Sequence, residues 1–232
     1  MTQQIIRHAL IMAAGRGNRM RPLTDLLPKP MLKYKEDTLI GNSLEGLRNN
    51  IAHIHITVGY KKAMLSEYLM TRGGVDSILN TEGHGNAWWV QHTLMRFINE
   101  PILVLTTDNI TELDLEFLAV EYERLEGPPC MLVPVAPIEG IDGDYIEQVS
   151  GVVRSLQRAQ PRESYCSGIQ VLNPARICSL ADTDIDDFYQ VWQLLMAREM
   201  LKVSQLYPKT WFSVDTLEQL VKANNSTVDR RP

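Results

Sequence analysis

Arginine, lysine and glycine are spaced for anion chemistry in residues 10–32, LIMAAGRGNRMRPLTDLLPKPML. An apolar run stops at Gly15, and Gly15 and Gly17 then alternate with Arg16, Asn18 and Arg19. Glycines let backbone N–H groups approach a phosphate, and guanidinium groups add a planar fork of donors. Lys29 stands between Pro28 and Pro30, which restrict its backbone. Two common glycine loops are excluded. No Lys-Ser/Thr follows as the P-loop requires, and Met20 occupies the third glycine position of the dinucleotide fingerprint. Further along, Asp108 directly follows the apolar run ILVLTT, and Asp215 lies in WFSVDTLEQL. Two roles fit each carboxylate. Asp108 is placed to hold a divalent cation beside a phosphate or to close a strand with an Asx turn. Asp215 is placed to cap the last helix, with Glu218 three residues on, or to hold a metal, and the two are compatible.

The elements that must carry these groups alternate. Strands are expected at residues 5–14, 53–58, 75–79 and 102–107, and helices at 38–50, 61–71 (Met64, Leu65, Tyr68 and Leu69 inward) and 86–98. A helix at 114–124 and a strand at 129–135 follow, then an irregular insertion or lid at 136–149. Strands at 151–156 and 165–172, a long helix at 185–200, a strand at 201–206, a short one at 211–214 and a last helix to about 223 complete the pattern. Short β-α connections imply an α/β fold: a Rossmann-like, mostly parallel mixed sheet flanked by helices. Ligands of such sheets bind outside the carboxyl ends of the strands. That rule selects residues 15–19, residues 83–86, Asp108 and the region of Asp215.

Whole-chain properties narrow the partners. The 232 residues carry a formal net charge of −5, so the local basic loop suits a small anion better than nucleic acid. Hydrophobic content is 44% and charged content 22%, ordinary for a globular protein with a sizeable core. No apolar run approaches the ~20 residues of a membrane span, and the start lacks a secretory pattern. Cys130, Cys166 and Cys178 are widely spaced in apolar surroundings, so reduced thiols and a cytoplasmic location are expected. One domain is expected over residues 1–225, with a disordered tail at 226–232.

Residues 10–32 resemble the opening motif of the nucleotidyltransferases that activate sugar phosphates, GxGxRxxPLTxxxPKPM. VGYKKAMLSEYL, GNA near residue 85, LTTD, SGIQVLNP and WFSVDTLEQL fit that family in order. The resemblance implies a nucleotide-diphospho-sugar transferase fold and the reaction of an NTP with a phosphorylated acceptor to give an NDP-linked product and pyrophosphate. It implies that Ala13, Ala14 and Gly15 lie against the base and that Arg19 holds the β- and γ-phosphates. Lys29 neutralises the α-phosphate and the incoming phosphate, and Asp108 binds Mg²⁺. Gly168 lies beside the sugar, and Arg158 falls near the lysine that contacts the acceptor phosphate, with Gln157 in place of the family's glutamate.

Two departures bear on the substrate. Ser213 and Asp215 give WxxVDT where sugar enzymes read WxDVGT. The variant looks more like relatives that use CTP on phosphocholine or inositol phosphate, and places the second metal ligand at Asp215. Residues 82–89, EGHGNAWW, replace LGTAG, leaving Glu82 or Asn86 to read the base edge. His84 is read as a loop residue, since an ionised phosphate needs no base. Trp88 or Trp89, or both, is assigned to the core. The expected enzyme is thus a sugar-1-phosphate nucleotidyltransferase, with a cytidylyltransferase acting on a non-sugar phosphate or phosphonate as the alternative and a nucleotide-binding sensor as the third. Its partners are an NTP and a small phosphorylated acceptor, without nucleic acid or membrane, and its state is monomer or homodimer.

Overall fold

A computed structural model of the chain describes residues 5–226, except Asp142, Leu206, Tyr207 and Lys209. The expected tail therefore lies outside the described residues beyond Ser226. Among the described residues, β1 His8–Ala13, β2 His53–Val58, β3 Ser77–Asn80, β4 Ile102–Thr106 and β5 Cys130–Val135 build one sheet. It is completed by β6 Tyr145–Val149, β7 Val152–Gln157, β8 Tyr165–Leu172 and β9 Leu201–Val203. The order is β3-β2-β1-β4-β8-β5-β9-β7-β6. The first four strands are parallel, and β8 runs against both β4 and β5. β9 is parallel to β5, while β7 runs against β9 and β6. Two strands thus oppose the rest, as a mostly parallel mixed sheet requires.

Strand side chains alternate, which sorts the core into two layers. Ala9, Ile11, Leu103, Leu105, Met131 and Val133 face the layer that holds helices Leu39–Leu47, Lys62–Arg72 and Leu115–Arg124. Leu10, Ile102, Val104, Cys130 and Leu132 face the other, with Trp89, Ile177, Phe188 and Leu195. Register aligns the strand ends: Ala13 pairs with Val58 and Met12 with Thr106. Gly15, Thr81 and Asp108 consequently emerge at one level. A third cluster of Met20, Leu32, Tyr34, Leu39, Val214, Leu220 and Ala223 joins the opening stretch to the last helix. No helix of the described residues is long and apolar enough to cross a membrane.

Several local expectations are corrected. Met64 is exposed: helix Lys62–Arg72 buries Leu65 and Leu69 and packs Tyr68 against the same layer, while Met64 lies on its outer side. The expected helix at 86–98 is a short helix, Trp89–His92, and a 3₁₀ turn, Leu94–Phe97. Thr93 separates them: its hydroxyl donates to the Trp89 carbonyl and accepts from the Met95 N–H. Part of the expected lid is strand β6, joined to β7 through Ser150 and Gly151, both at positive φ, the backbone of a tight hairpin turn. The helix expected at 185–200 spans only Phe188–Met196, with Asp187 and Gln190 forming a capping box at its start. Helix Pro174–Leu180, capped by Asn173, was not anticipated.

Candidate active site

The opening loop turns on Gly17, whose φ of 63° is left-handed, and enters the 3₁₀ turn Asn18–Met20. Met20 is buried, so its neighbour Arg19 projects outward with a largely exposed side chain. The Thr24 hydroxyl donates to the Gly17 carbonyl and ties the loop to helix Leu23–Leu26. Pro28 is extended, and Lys29 begins a second 3₁₀ turn, Lys29–Met31, which drives its side chain inward. Lys29 is 9% exposed.

Asp108 and Asp215 are brought together by a ribbon that pairs the short strand expected at 211–214 with an unexpected one directly after Asp108. Asn109–Glu112 pairs antiparallel with Thr210–Ser213, Ser213 opposite Asn109, and the Val214 N–H donates to the Asp108 carbonyl. Lys29 Nζ donates to Asp108 Oδ2 at 2.9 Å and to Asp215 Oδ1 at 3.0 Å. Arg19 Nη2 is 3.0 Å from Asp215 Oδ1, and the Ser213 hydroxyl donates to Asp215 Oδ2 at 3.1 Å. Burial pushes the Asp215 carboxyl up, but Lys29, Arg19 and the Ser213 hydroxyl outweigh it and hold the group below its ordinary value. Asp215 does not cap the last helix. Thr216 does, in a capping box with Gln219, whose amide oxygen also accepts the Asp215 N–H. The cap one residue later frees the Asp215 carboxylate to face Lys29.

These groups border a cavity of about 640 Å³ at the carboxyl ends of β1, β2 and β4. Ala13, Ala14, Gly15 and Gly17 form one part of its wall, and Glu82, His84 and Asn86 another. Glu82 pairs with Lys62 at 2.8 Å; that hydrogen bond, first, and the lysine's charge hold its carboxyl below the usual value. Asn86 Oδ1 accepts the Phe188 N–H at 2.9 Å. Trp89 is core, whereas Trp88 lies stacked between His84 and His92.

Two expected site residues do not line this cavity. The exposed Arg158 side chain pairs with Asp144 at 2.9 Å, across the β6–β7 hairpin region. Gly168 sits beside Thr106 and Asn109, where a side chain would meet Asn109 Nδ2 and Thr106 Oγ1. Arg16, within the selected loop 15–19 but without a role of its own there, and two residues outside the selected places join or flank the site. Arg16 lines the cavity with its guanidinium over the Tyr60 ring, and the Tyr60 hydroxyl donates to the Thr24 carbonyl. Tyr60 follows Gly59 at the end of β2, so the strand-end rule applied to VGYKK points to it. Asn109, beside Asp108, accepts from Trp211 Nε1, while its buried Nδ2 has no partner among the described residues.

Two carboxylates converging on one cation fit a magnesium ion, which takes one or two protein carboxylates and completes its shell with phosphate oxygens and water. Among the described residues no group of three or more His, Cys, Asp or Glu side chains forms a closed metal cage.

The fold and cavity define an α/β architecture with basic groups and carboxylates gathered at the strand ends. The chain belongs to the nucleotidyl transferase family: the family model "Nucleotidyl transferase" matches residues 8–137. It is 30% identical over 116 residues to the bifunctional protein GlmU of Methanococcus maripaludis, covering 50% of this chain and 28% of that protein. It is 27% identical over 221 residues to a mannose-1-phosphate guanyltransferase of Pichia angusta, covering 88% of this chain and 60% of that one. The chain thus spans less than two thirds of the length of these relatives. The structure of an inositol-1-phosphate CTP transferase from T. maritima shares the fold, with a TM-score of 0.73 and 17% identity over 95% of this chain and 97% of the other.

Proposed function

We propose that the chain is a Mg²⁺-dependent nucleotidyltransferase that moves NMP from an NTP to a sugar 1-phosphate and releases pyrophosphate. The observation that carries this reading is Lys29 buried between Asp108 and Asp215, with Arg19 beside it, under the backbone of residues 13–15. Acceptor and donor are both polyanions, so the site's first task is to let them approach. The acceptor's phosphate oxygen attacks the α-phosphorus in line, and pyrophosphate leaves. The attacking oxygen is already ionised, so no side chain need remove a proton. Lys29 Nζ neutralises the α-phosphate and the incoming phosphate, and Arg19 receives the β- and γ-phosphates. The backbone of Ala13, Ala14 and Gly15 supports the nucleoside. Asp108 and Asp215 would hold Mg²⁺, which supplies charge neutralisation at the phosphates. Gly168, having no side chain, leaves free the space beside Thr106 and Asn109, at the side where the acceptor's sugar would lie. The free cysteines fit a reducing, cytoplasmic setting.

Pyrophosphate release, with each of four NTPs across a panel of phosphorylated acceptors, tests this. A Mg²⁺-dependent signal with a sugar 1-phosphate is expected. A signal confined to CTP with phosphocholine or inositol phosphate replaces the acceptor class, and silence in every combination removes the enzyme. Asp108→Ala should lower kcat by about 10²–10³, roughly 3–4 kcal/mol of transition-state stabilisation. Its unfolding midpoint should move little, since Lys29 keeps Asp215 as a partner.

A further inference from the structure

Resting on the nucleotidyltransferase reading, we propose that the His84 imidazole, backed by Trp88, is the platform on which the NTP's base stacks. The side chains first considered as readers of the base edge have other duties: Glu82 is paired with Lys62, and Asn86 Oδ1 holds the start of helix Phe188–Met196. The His84 ring is placed differently. It is exposed, lines the cavity, and lies parallel to Trp88, with ring centroids 4.0 Å apart and an interplanar angle of 8°. Trp88 stacks in turn on His92, centroids 4.9 Å apart. One face of His84 is therefore covered by an aromatic ring, and the other is left to a planar ligand.

The loop that carries His84 is built to hold it still. The His84 N–H donates to the Thr81 carbonyl. Gly85 passes so close to Asp186 that a Cβ there would lie 2.3 Å from the Asp186 carbonyl oxygen, and the Gly85 N–H donates to Asp186 Oδ1 at 2.8 Å. The Ala87 N–H donates to the Asp186 carbonyl, and the buried Trp89 donates from Nε1 to the Asn86 carbonyl at 2.9 Å. Such anchoring has a use when a ring face must be presented at fixed height, because stacking falls away with small displacements. His84 follows β3, whereas Asp108 with its partner Lys29 follows β4, and the ends of β2 and β1, the latter leading to Ala13 and Ala14, lie between them in the sheet. A ring held flat on His84 thus leaves its triphosphate free to reach Arg19 and Lys29. Every base has a π-face, so the platform adds affinity for all four NTPs and leaves discrimination to edge contacts.

Calorimetric titration tests this without an acceptor, so that no nucleotide is consumed. Each of the four NTPs and inorganic tripolyphosphate is titrated, with Mg²⁺, into the wild-type chain, His84→Ala and His84→Phe. His84→Ala should raise Kd about tenfold for every NTP. Tripolyphosphate, which has no base, should bind all three proteins alike, and His84→Phe should recover most of the loss. Unchanged NTP affinity in His84→Ala, an equal loss for tripolyphosphate, or no recovery in His84→Phe overturns the platform. Failure of the wild-type chain to bind any NTP overturns the nucleotidyltransferase reading and the platform with it, whereas intact NTP binding by His84→Ala overturns the platform alone.

Discussion

The two ends of the parallel strands both gather titratable side chains, with opposite results. At the carboxyl ends, Lys29 and Arg19 pair with Asp108 and Asp215 beside a cavity. At the amino ends, His8, His53 and His55 lie stacked, His8 Nδ1 3.1 Å from His55 Nε2 and His55 Nδ1 2.8 Å from the Ser77 hydroxyl. Burial lowers the His55 pKa to about 4, with the charge of His8 acting in the same direction, so the ring is neutral at pH 7. Burial likewise lowers His8. The histidine cluster is completed by hydrogen bonds between its rings and to Ser77 and Asp76. The lysine site balances its charges only among groups that a phosphate or a cation would also bind. A cluster of ionisable residues therefore reads as a site when its charges face a space, not merely when its members are close.

Lys29→Met would separate the two ends most sharply. It leaves Asp108 and Asp215 facing each other with only Arg19 to balance Asp215, and removing one partner of a buried pair costs about 3 kcal/mol or more. Urea unfolding should show that loss at neutral pH, and turnover should fall by at least two orders of magnitude. A variant of wild-type stability would mean that the carboxylates do not depend on Lys29.

Acid should weaken the histidine end. The folded-state pKa of His55 lies below the unfolded value of 6.5, so the unfolded chain takes up a proton that the folded chain refuses. Stability from this group is full above about pH 6.5 and is lost as pH falls toward about 4, to the extent of ~3 kcal/mol. His55→Gln should flatten that slope in urea titrations while leaving turnover at pH 7 unchanged. An identical slope in the variant would place the acid sensitivity elsewhere.

How much of this was legible beforehand follows from how local each signal is. The 10–32 stretch could be read because its glycines, prolines and basic residues act within one loop, and Lys29 and Arg19 stand in the cavity where their neighbours put them. Asp108 was legible from the rule that strands deliver ligands at their carboxyl ends. The ribbon of Asn109–Glu112 with Thr210–Ser213 was not, since it joins segments about a hundred residues apart through four paired residues. Without it, Asp215 looked as much like a helix cap as a ligand. The β6–β7 hairpin was hidden in a Gly- and Asp-rich segment, and there Arg158 turns to Asp144, away from the cavity. The His84–Trp88–His92 stack needs helical spacing across 88–92 and a turn at 84 that the Thr81 carbonyl and the distant Asp186 hold together.

The smallest effect concerns the one-residue offset between cap and ligand. Thr216 accepts the Gln219 N–H, and Gln219 returns a bond to the Asp215 N–H, so cap and carboxylate share one turn. Thr216→Ala removes the cap and should cost about 1 kcal/mol of stability. The last helix also packs Leu220 and Ala223 against Met20 and Leu32, so loosening its start should be felt by Asp215 and Arg19 together. The expected result is a modest rise in the Mg²⁺ concentration needed for half-maximal turnover, restored by Thr216→Ser, which keeps the hydroxyl. A stability loss with no change in Mg²⁺ demand would show that Asp215 is held by Lys29, Arg19 and Ser213 without help from the cap, making the carboxyl-end charge cluster as self-sufficient as the histidine cluster opposite.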